Sequence, residues 1–358
     1  MLPTSLNINK YFQQTEGVWA HHAVFAFTFI AYAVGVWGLF SVSWWLNFFS
    51  VLLLTQGLII SAYLLHEFSH RSIFKSAAIN RRWGTAMTWI NGSCYSTFDE
   101  IRDKHMHHHV DRADVISFDI RHFITSLPRP LNLLVKSLEW AYIPAAEIIM
   151  HVLVVVMPFI TPAWHLKRPR LMAIIFVRTI LLGLMAWISI KAWLLYMLSY
   201  CLMLTALRFA DAYQHTYDVF VTLDSGTNIK LNLDDGKLRD RSYEQSNTYS
   251  NLTSVSHPWL NLMFLNFPYH NAHHQKPVVA WNQLPQLHAK LYGKNNAPAD
   301  VAIIPMLTLL KSYHRHRLTR LESDDYGSLT FKPDSKQLSL GGADQFIGAV
   351  GVSFLTAI

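Results

Sequence analysis

Cysteine is nearly absent: Cys94 and Cys201 are the only two in 358 residues, and Cys201 falls in an apolar run, so no disulfide framework is expected. Charge is scarce too. Only 15% of residues are charged against 51% hydrophobic, with 12 Trp and 21 Phe, which does not resemble an ordinary soluble domain and reads as a membrane protein. The first 17 residues lack the basic-then-apolar order of a cleaved signal, so the first apolar run is expected to be retained and to direct insertion itself. No solenoid repeat and no long low-complexity linker interrupts the chain. The net charge of +7 forms no basic stripe interleaved with aromatics, so no nucleic-acid partner is expected.

Four apolar runs are long enough to cross a hydrocarbon core of about 30 Å, which takes roughly 20 residues. They are Val18 to Phe40, Ser43 to Leu65, Leu171 to Ile190 and Trp193 to Ala210. A fifth, Ile143 to Trp164, carries Glu147, His151, Pro158 and Pro162 and is read as interfacial or re-entrant. Arg71, Lys75, Arg81 and Arg82 follow the second run and Lys167, Arg168 and Arg170 precede the third, whereas the short connections Ser41 to Val42 and Ile190 to Ala192 hold only Lys191. That bias sets the ends of the second and fourth runs in the cytoplasm. The expected division is an N-terminal cytoplasmic segment 1–17, a membrane domain with a cytoplasmic cap over 18–320, and a tail 321–358. Within the cap, Tyr217 to Gln245 alternates apolar and polar residues around two turn signals and predicts a small hairpin or ordered loop over the site. Lys311 to Arg320 is a compact basic cluster that suits anionic lipid headgroups or an acidic electron carrier. The apolar stretch QFIGAVGVSFLTAI near residue 358 is too short to span.

Histidine is abundant, at 19 residues, and most of it is clustered. HEFSH at His66 to His70, HMHHH at His105 to His109 and HNAHH at His270 to His274 reduce to HxxxH, HxxHH and HxxHH. On a helix these offsets share one face, so each box can present its imidazoles to one metal centre. Two such three-histidine patterns and an HxxxH together are roughly a one-in-a-thousand accident. His107 is offset by two from His105 and points off the shared face, which suits outer hydrogen bonding or solvent. The scattered His21, His22, His122, His151, His165 and His257 are left out of the site, as ordinary surface or core residues. RFADAYQHTYD follows the fourth run, and Asp211 and His215, at i and i+4, are expected on one helical face at the membrane border.

Eight box histidines and His215 give nine imidazoles, too many for one closed tetrahedral zinc but suited to two metals with four or five protein ligands each. Carboxylates are nearly absent from the boxes, unlike soluble di-iron bundles with their Glu and ExxH motifs. Softness alone admits iron, zinc or copper. A site at the ends of apolar helices suggests a long hydrocarbon substrate entering from the bilayer, and attack on an unactivated C–H bond needs redox chemistry with oxygen, which zinc cannot perform.

In box order and spacing the chain resembles the membrane-bound fatty acid desaturase and hydroxylase superfamily. FPYHNAHHQKPVVAWNQLPQLHAKLYG, with Leu284, Pro285 and His288, resembles that family's third-box region, and the similarity covers roughly Leu52 to Gly293. The resemblance implies an all-α integral membrane protein: four transmembrane helices beneath a cytoplasmic helical cap, with two iron ions between them. It carries ligand roles to His66, His70, His105, His108, His109, His215, His270, His273 and His274. Asp211 matches a position that in acyl-CoA desaturases resembles an Asn binding iron through water; here it could do likewise or orient a histidine. The five-residue first box is closer to acyl-lipid and bacterial members, so a bacterial inner membrane is the expected location. No His-Pro-Gly-Gly haem motif occurs, so electrons are expected from a separate ferredoxin or cytochrome b5-type donor with its reductase.

The resemblance leaves more than one reaction open. The first is oxygen-dependent desaturation of a long-chain acyl substrate. Hydroxylation, or oxidative decarboxylation of a free fatty acid to a terminal alkene, shares the same core. Box spacing does not separate them. Arg102, Lys104 and Arg208 flank the ligands and could hold the free carboxylate that decarboxylation would favour. The alkane hydroxylases' Asn-Tyr-x-Glu-His-Tyr-Gly motif is missing. A metal transporter would need ionisable residues at mid-membrane depth, and these boxes sit at the ends of spans.

Overall fold

The computed structural model describes residues 8–218, 220–223, 238–293, 303–323, 346–350 and 354–358. Helices α1 (Val18–Gly38) and α2 (Trp44–Ser69) form a first hairpin, and α3 (Ala77–Asn91) and α4 (Phe98–Asp111) follow where α2 ends. Strand β1 (Asp114–Ile116) and helices α5 (Ile120–Ser126), α6 (Arg129–Trp140) and α7 (Ala145–Ile160) lead to a second hairpin, α8 (Arg168–Ile188) and α9 (Ile190–Asp211). Strand β2 (Phe220–Thr222) and helices α10 (Arg241–Ser246), α11 (His270–Gln275), α12 (Leu284–Tyr292) and α13 (Met306–Arg315) complete the cap.

Four helices among the described residues are long and apolar enough to cross a membrane, and they overlap the four runs expected, the third beginning earlier, at Pro162 rather than Leu171. The chain is an integral membrane protein with this bundle at its centre. Helix α2 is the most enclosed of the four. Its approach to α1 depends on missing side chains: a Cβ on Gly35 would stand 2.9 Å from Leu54 Cβ. The outer face of α8 shows Phe176, Ile180, Leu184 and Trp187 to the surroundings, as a lipid-facing helix does. Trp19, Trp37, Trp44, Trp45 and Trp187 are exposed near span ends, where amphipathic rings anchor in headgroups.

The two hairpin tips lie together. Asn47 Nδ2 donates to the carbonyls of Gly38 (2.9 Å), Leu39 (3.2 Å) and Ser41 (3.1 Å), closing the first turn. Lys191, from the second tip, donates to Asn47 Oδ1 at 2.9 Å and to the Ser41 carbonyl. Both tips therefore point to one side, and α2 and α9 return to the other. Helix α7 has 16 residues, about 24 Å of helix, and contains Pro158, so it falls short of a span.

One local expectation needs correction. Asp211 and His215 do not share a helical face, because α9 ends at Asp211. Beyond it Thr216 N donates to Asn247 O (3.0 Å) and Tyr249 N to Gln214 O (2.9 Å), and this pairing between distant segments replaces the next helical turn. The first predicted strand of the expected hairpin or ordered loop has a distant partner. Phe220–Thr222 pairs in parallel with Asp114–Ile116, with Val115 and Val221 buried between them. The second predicted strand, at 229–233, lies outside the described residues.

The basic cluster divides. Arg320 is buried, its guanidinium 3.8 Å from the Tyr313 ring centroid and donating to Tyr313 O at 3.1 Å, whereas Lys311, His314 and Arg315 are exposed. The described parts of the last stretch, 346–350 and 354–358, are built into the interior of the domain.

Candidate metal centre

The first box closes α2, with His66 in the last turn and His70 as its C-terminal cap. Glu67, buried beside them, accepts from Ser72 Oγ at 2.6 Å and from the backbone N–H of Trp281 at 2.9 Å, which ties the flank of the third box to α2. The second box ends α4, whose start is fixed by a capping box: Thr97 Oγ1 accepts from Glu100 N (3.1 Å) and Glu100 accepts from Thr97 N (2.7 Å). The third box occupies the short helix α11, held by Asn271. Its side chain donates to Thr248 O at 2.6 Å and accepts from Ser250 Oγ at 2.9 Å.

All nine predicted histidines come together in two adjoining groups. His66, His70, His105, His109 and His273 form one; His108, His215, His270 and His274 form the other, with ligand atoms in each group within 4.8 Å of one another. The single-face expectation is too simple. In each HxxHH box the i, i+4 pair serves one group and the middle histidine the other, because neighbouring positions i+3 and i+4 diverge by about 100° around a helix: His105 and His109 against His108, His270 and His274 against His273. His109 and His274 rings stand 4.2 Å apart across the border. His107 is turned away, its Nδ1 2.8 Å from Asp111 Oδ2.

Burial first, then neighbouring imidazoles, hold His70, His105, His109, His215, His270 and His274 well below the usual histidine range. Burial brings His108 to about 4 and His273 to about 3. These rings are neutral at neutral pH, each with a lone pair to offer.

The hydrogen bonds say where those lone pairs point. His108 Nδ1 donates to Ala113 O at 2.8 Å, and His274 Nδ1 donates to Glu244 Oε1 at 2.9 Å. Thr248 gives its hydroxyl proton to Glu244 O (2.6 Å), so it accepts from His215 Nδ1 at 3.3 Å. In all three rings Nε2 is then the bare nitrogen. Yet His108 Nε2 and His215 Nε2 face each other at 3.0 Å, and the buried His274 Nε2 has no hydrogen-bond partner among the described residues. Converging lone pairs repel unless a cation lies among them. Imidazole nitrogens bound at about 2.0–2.1 Å to one ion stand roughly 3 Å apart. The pairs His70–His105 (2.7 Å), His105–His109 (3.1 Å), His109–His273 (3.3 Å) and His215–His270 (2.7 Å) have that spacing. The donor set fits two metal ions.

Glu244, Thr248 and Asn271 escaped the sequence reading. Asn271 stands inside the third box but is no metal-ligating type, and Glu244 and Thr248 fall in DRSYEQSNTYSN, which has no metal-ligand spacing to single them out. Glu244 is 1% exposed, and burial raises its carboxyl above the usual range while Arg241 and Arg112 oppose the rise.

A cavity of about 110 Å³ lies against the histidines, touching His105, His108, His215 and His270. Its other walls are largely apolar: Val115, Ile116, Phe220, Phe267, Val350 and Phe354. Lys104, Asp114, Arg121 and Asp211 add polar groups. Of the residues expected to hold a carboxylate, Lys104 alone is in this wall, where it donates to Thr356 O at 2.7 Å and burial lowers its ammonium to about 8. Arg208 lies elsewhere, paired with both oxygens of Glu139 at 2.8 and 2.9 Å, and Arg102 contacts Asp103 at 3.0 Å.

Residues 43–302 match the family model described as fatty acid desaturase. Neither a curated protein nor a solved structure matches the chain.

Proposed function

The chain belongs to the fatty acid desaturase family, and from that premise we propose that it is an oxygen-dependent desaturase introducing one double bond into a long-chain acyl substrate at a non-haem di-iron centre. The observation that carries the reading is the apolar cavity opening directly onto imidazoles of both groups. His66, His70, His105, His109 and His273 would hold one iron, and His108, His215, His270 and His274 the other. Irons held there would supply the oxidation, in which two hydrogens of the chain, O2, two external electrons and two protons give the double bond and two waters. The protein's own part is to bind, orient and exclude. Phe267 and Phe354 keep water from the chain beside His66, and Glu244, Thr248 and the Ala113 carbonyl fix the tautomers that aim Nε2 inward.

Of the three basic residues that could hold a free carboxylate for loss of carbon dioxide, Arg102 and Arg208 are not in the cavity wall and Lys104 is engaged by a backbone carbonyl. We assign the box-bearing side to the cytoplasm on the basic residues flanking α2 and α8, the membrane to a bacterial inner membrane on the five-residue first box, and the electrons to a separate ferredoxin or cytochrome b5-type donor with its reductase. The exposed Lys311, His314 and Arg315 suit either that donor or anionic lipid.

Purified protein supplied with iron, oxygen, a reductase and an electron carrier should convert a saturated long-chain acyl substrate to a product that keeps every carbon and has one internal double bond. Gas chromatography of lipid and headspace fractions reads the outcome. A terminal alkene one carbon shorter, or a hydroxylated chain as the sole product, would sink the desaturase reading and leave the metal centre standing.

A further inference from the structure

We infer that residues 346–350 and 354–358 build one wall of the acyl cavity, and that Phe354 is a specificity-determining residue that sets which carbons of the chain lie against the dinuclear site. The inference rests on the desaturase-type reading above. It starts from an apolar stretch that is too short to cross a membrane and is nonetheless buried: Phe346, Val350, Leu355 and Ala357 are all enclosed, in three different hydrophobic clusters.

The wall is fastened through its backbone, which leaves its side chains free to shape the cavity. Ala349 N donates to Ala212 O at 2.7 Å and Arg208 donates to Val350 O at 3.1 Å. Lys104 Nζ and Ser117 Oγ donate to Thr356 O at 2.7 and 3.0 Å, and Ser96 Oγ donates to Ala357 O while accepting from Ala357 N. Gly348, at φ 78°, lets the chain turn where a Cβ would stand 2.7 Å from Ala212 O. Lys104 precedes His105 on α4, so the same helix positions the wall and the metal ligands.

Phe354 is where this wall meets the site. Its ring centroid is 5.9 Å from those of His66 and His105, both in the five-histidine group. Phe267 stands 4.6 Å from His66 as well, so two phenyl rings flank one candidate ligand and both line the cavity. At about 110 Å³ the cavity is smaller than the ~300–1,000 Å³ of sites that enclose a drug-sized ligand, so only a short part of a long chain fits beside the histidines. Which part is decided by the rings that bound it. Fit of one methylene in an apolar pocket discriminates by about 10- to 200-fold, so a phenyl ring here is large enough to control the outcome.

The test compares the full-length, iron-loaded wild type with Phe354→Leu and Phe354→Ala on an equimolar mixture of decanoyl, myristoyl and stearoyl chains, by mass spectrometry of product chain and oxidised position. The ratio of longest to shortest product, or the oxidised position, should move in the order wild type, Phe354→Leu, Phe354→Ala, by about tenfold overall. Iron content and thermal midpoint of each variant are measured alongside. A second readout needs no turnover: Phe354→Cys, made with both native cysteines replaced by serine, should react with a maleimide several-fold more slowly when myristate is present without reductant. Equal product ratios and positions at any total rate, or labelling indifferent to myristate, overturn the inference alone. No oxidised acyl product from the wild type overturns the functional reading and this inference with it.

Discussion

At the residue scale, what each imidazole offers a metal is decided by its other nitrogen. His274 is aimed by Glu244, His215 by Thr248 and His108 by the Ala113 carbonyl. Removing such a partner typically costs 10- to 100-fold in metal affinity, so Glu244→Ala should weaken retention by about that factor, measured by competition with a chelator. Retention equal to wild type would show that Glu244 serves only Arg112 and Arg241. His108→Ala and His273→Ala should each lose metal and abolish turnover, because each opens one of the two groups. His107→Ala should keep most of its metal, since its ring faces Asp111; loss equal to that of His108→Ala would refute the division of the box. The histidines were legible because spacing is a local property. Their supports were not, because Glu244 and Thr248 reach the site only through tertiary packing, and Asn271, inside the third box, acts through its distant partners Thr248 and Ser250.

At the scale of elements, the four spans were legible because length and continuous apolarity specify a membrane helix by themselves. Segments whose partners are distant read poorly. His215 looked helical in isolation, yet backbone pairing with Asn247 and Tyr249 takes that turn away. VFVTL was recognisable as a strand, but its pairing with Asp114–Ile116 across about a hundred residues carries no local signal. Glu67 shows how one side chain joins two elements, accepting from Ser72 on the α2 side and from Trp281 on the α11 side. Glu67→Leu leaves the Trp281 N–H buried and unpaired, a loss of about 1–3 kcal/mol, while Ser72 Oγ keeps the backbone carbonyl of residue 67 as its acceptor. The expected result is a lower thermal midpoint in detergent together with reduced metal content. An unchanged midpoint would mean that the two elements are held by packing alone.

For the whole molecule, the bundle and the centre depend on one another: donors from α2, α4, α11 and the segment after α9 meet only if α2 and α9 end on the same side of the membrane. The joined tips, Asn47 with Lys191, fit that arrangement. With both native cysteines replaced by serine, single cysteines at Ser126 and Ser256, both exposed, should label with an impermeant reagent from one side, and a cysteine at Val42, 95% exposed, from the other. Labelling of Ser126→Cys and Ser256→Cys from opposite sides would require α7 to span and would break the shared centre. The central claim is that nine histidines form two adjoining metal sites. Elemental analysis of protein purified from iron-replete cells, expressed per chain, tests it most directly. Two irons per wild-type chain, falling in both His70→Ala and His274→Ala, is the result predicted. A single ion per chain, or zinc filling both sites in active protein, would contradict it.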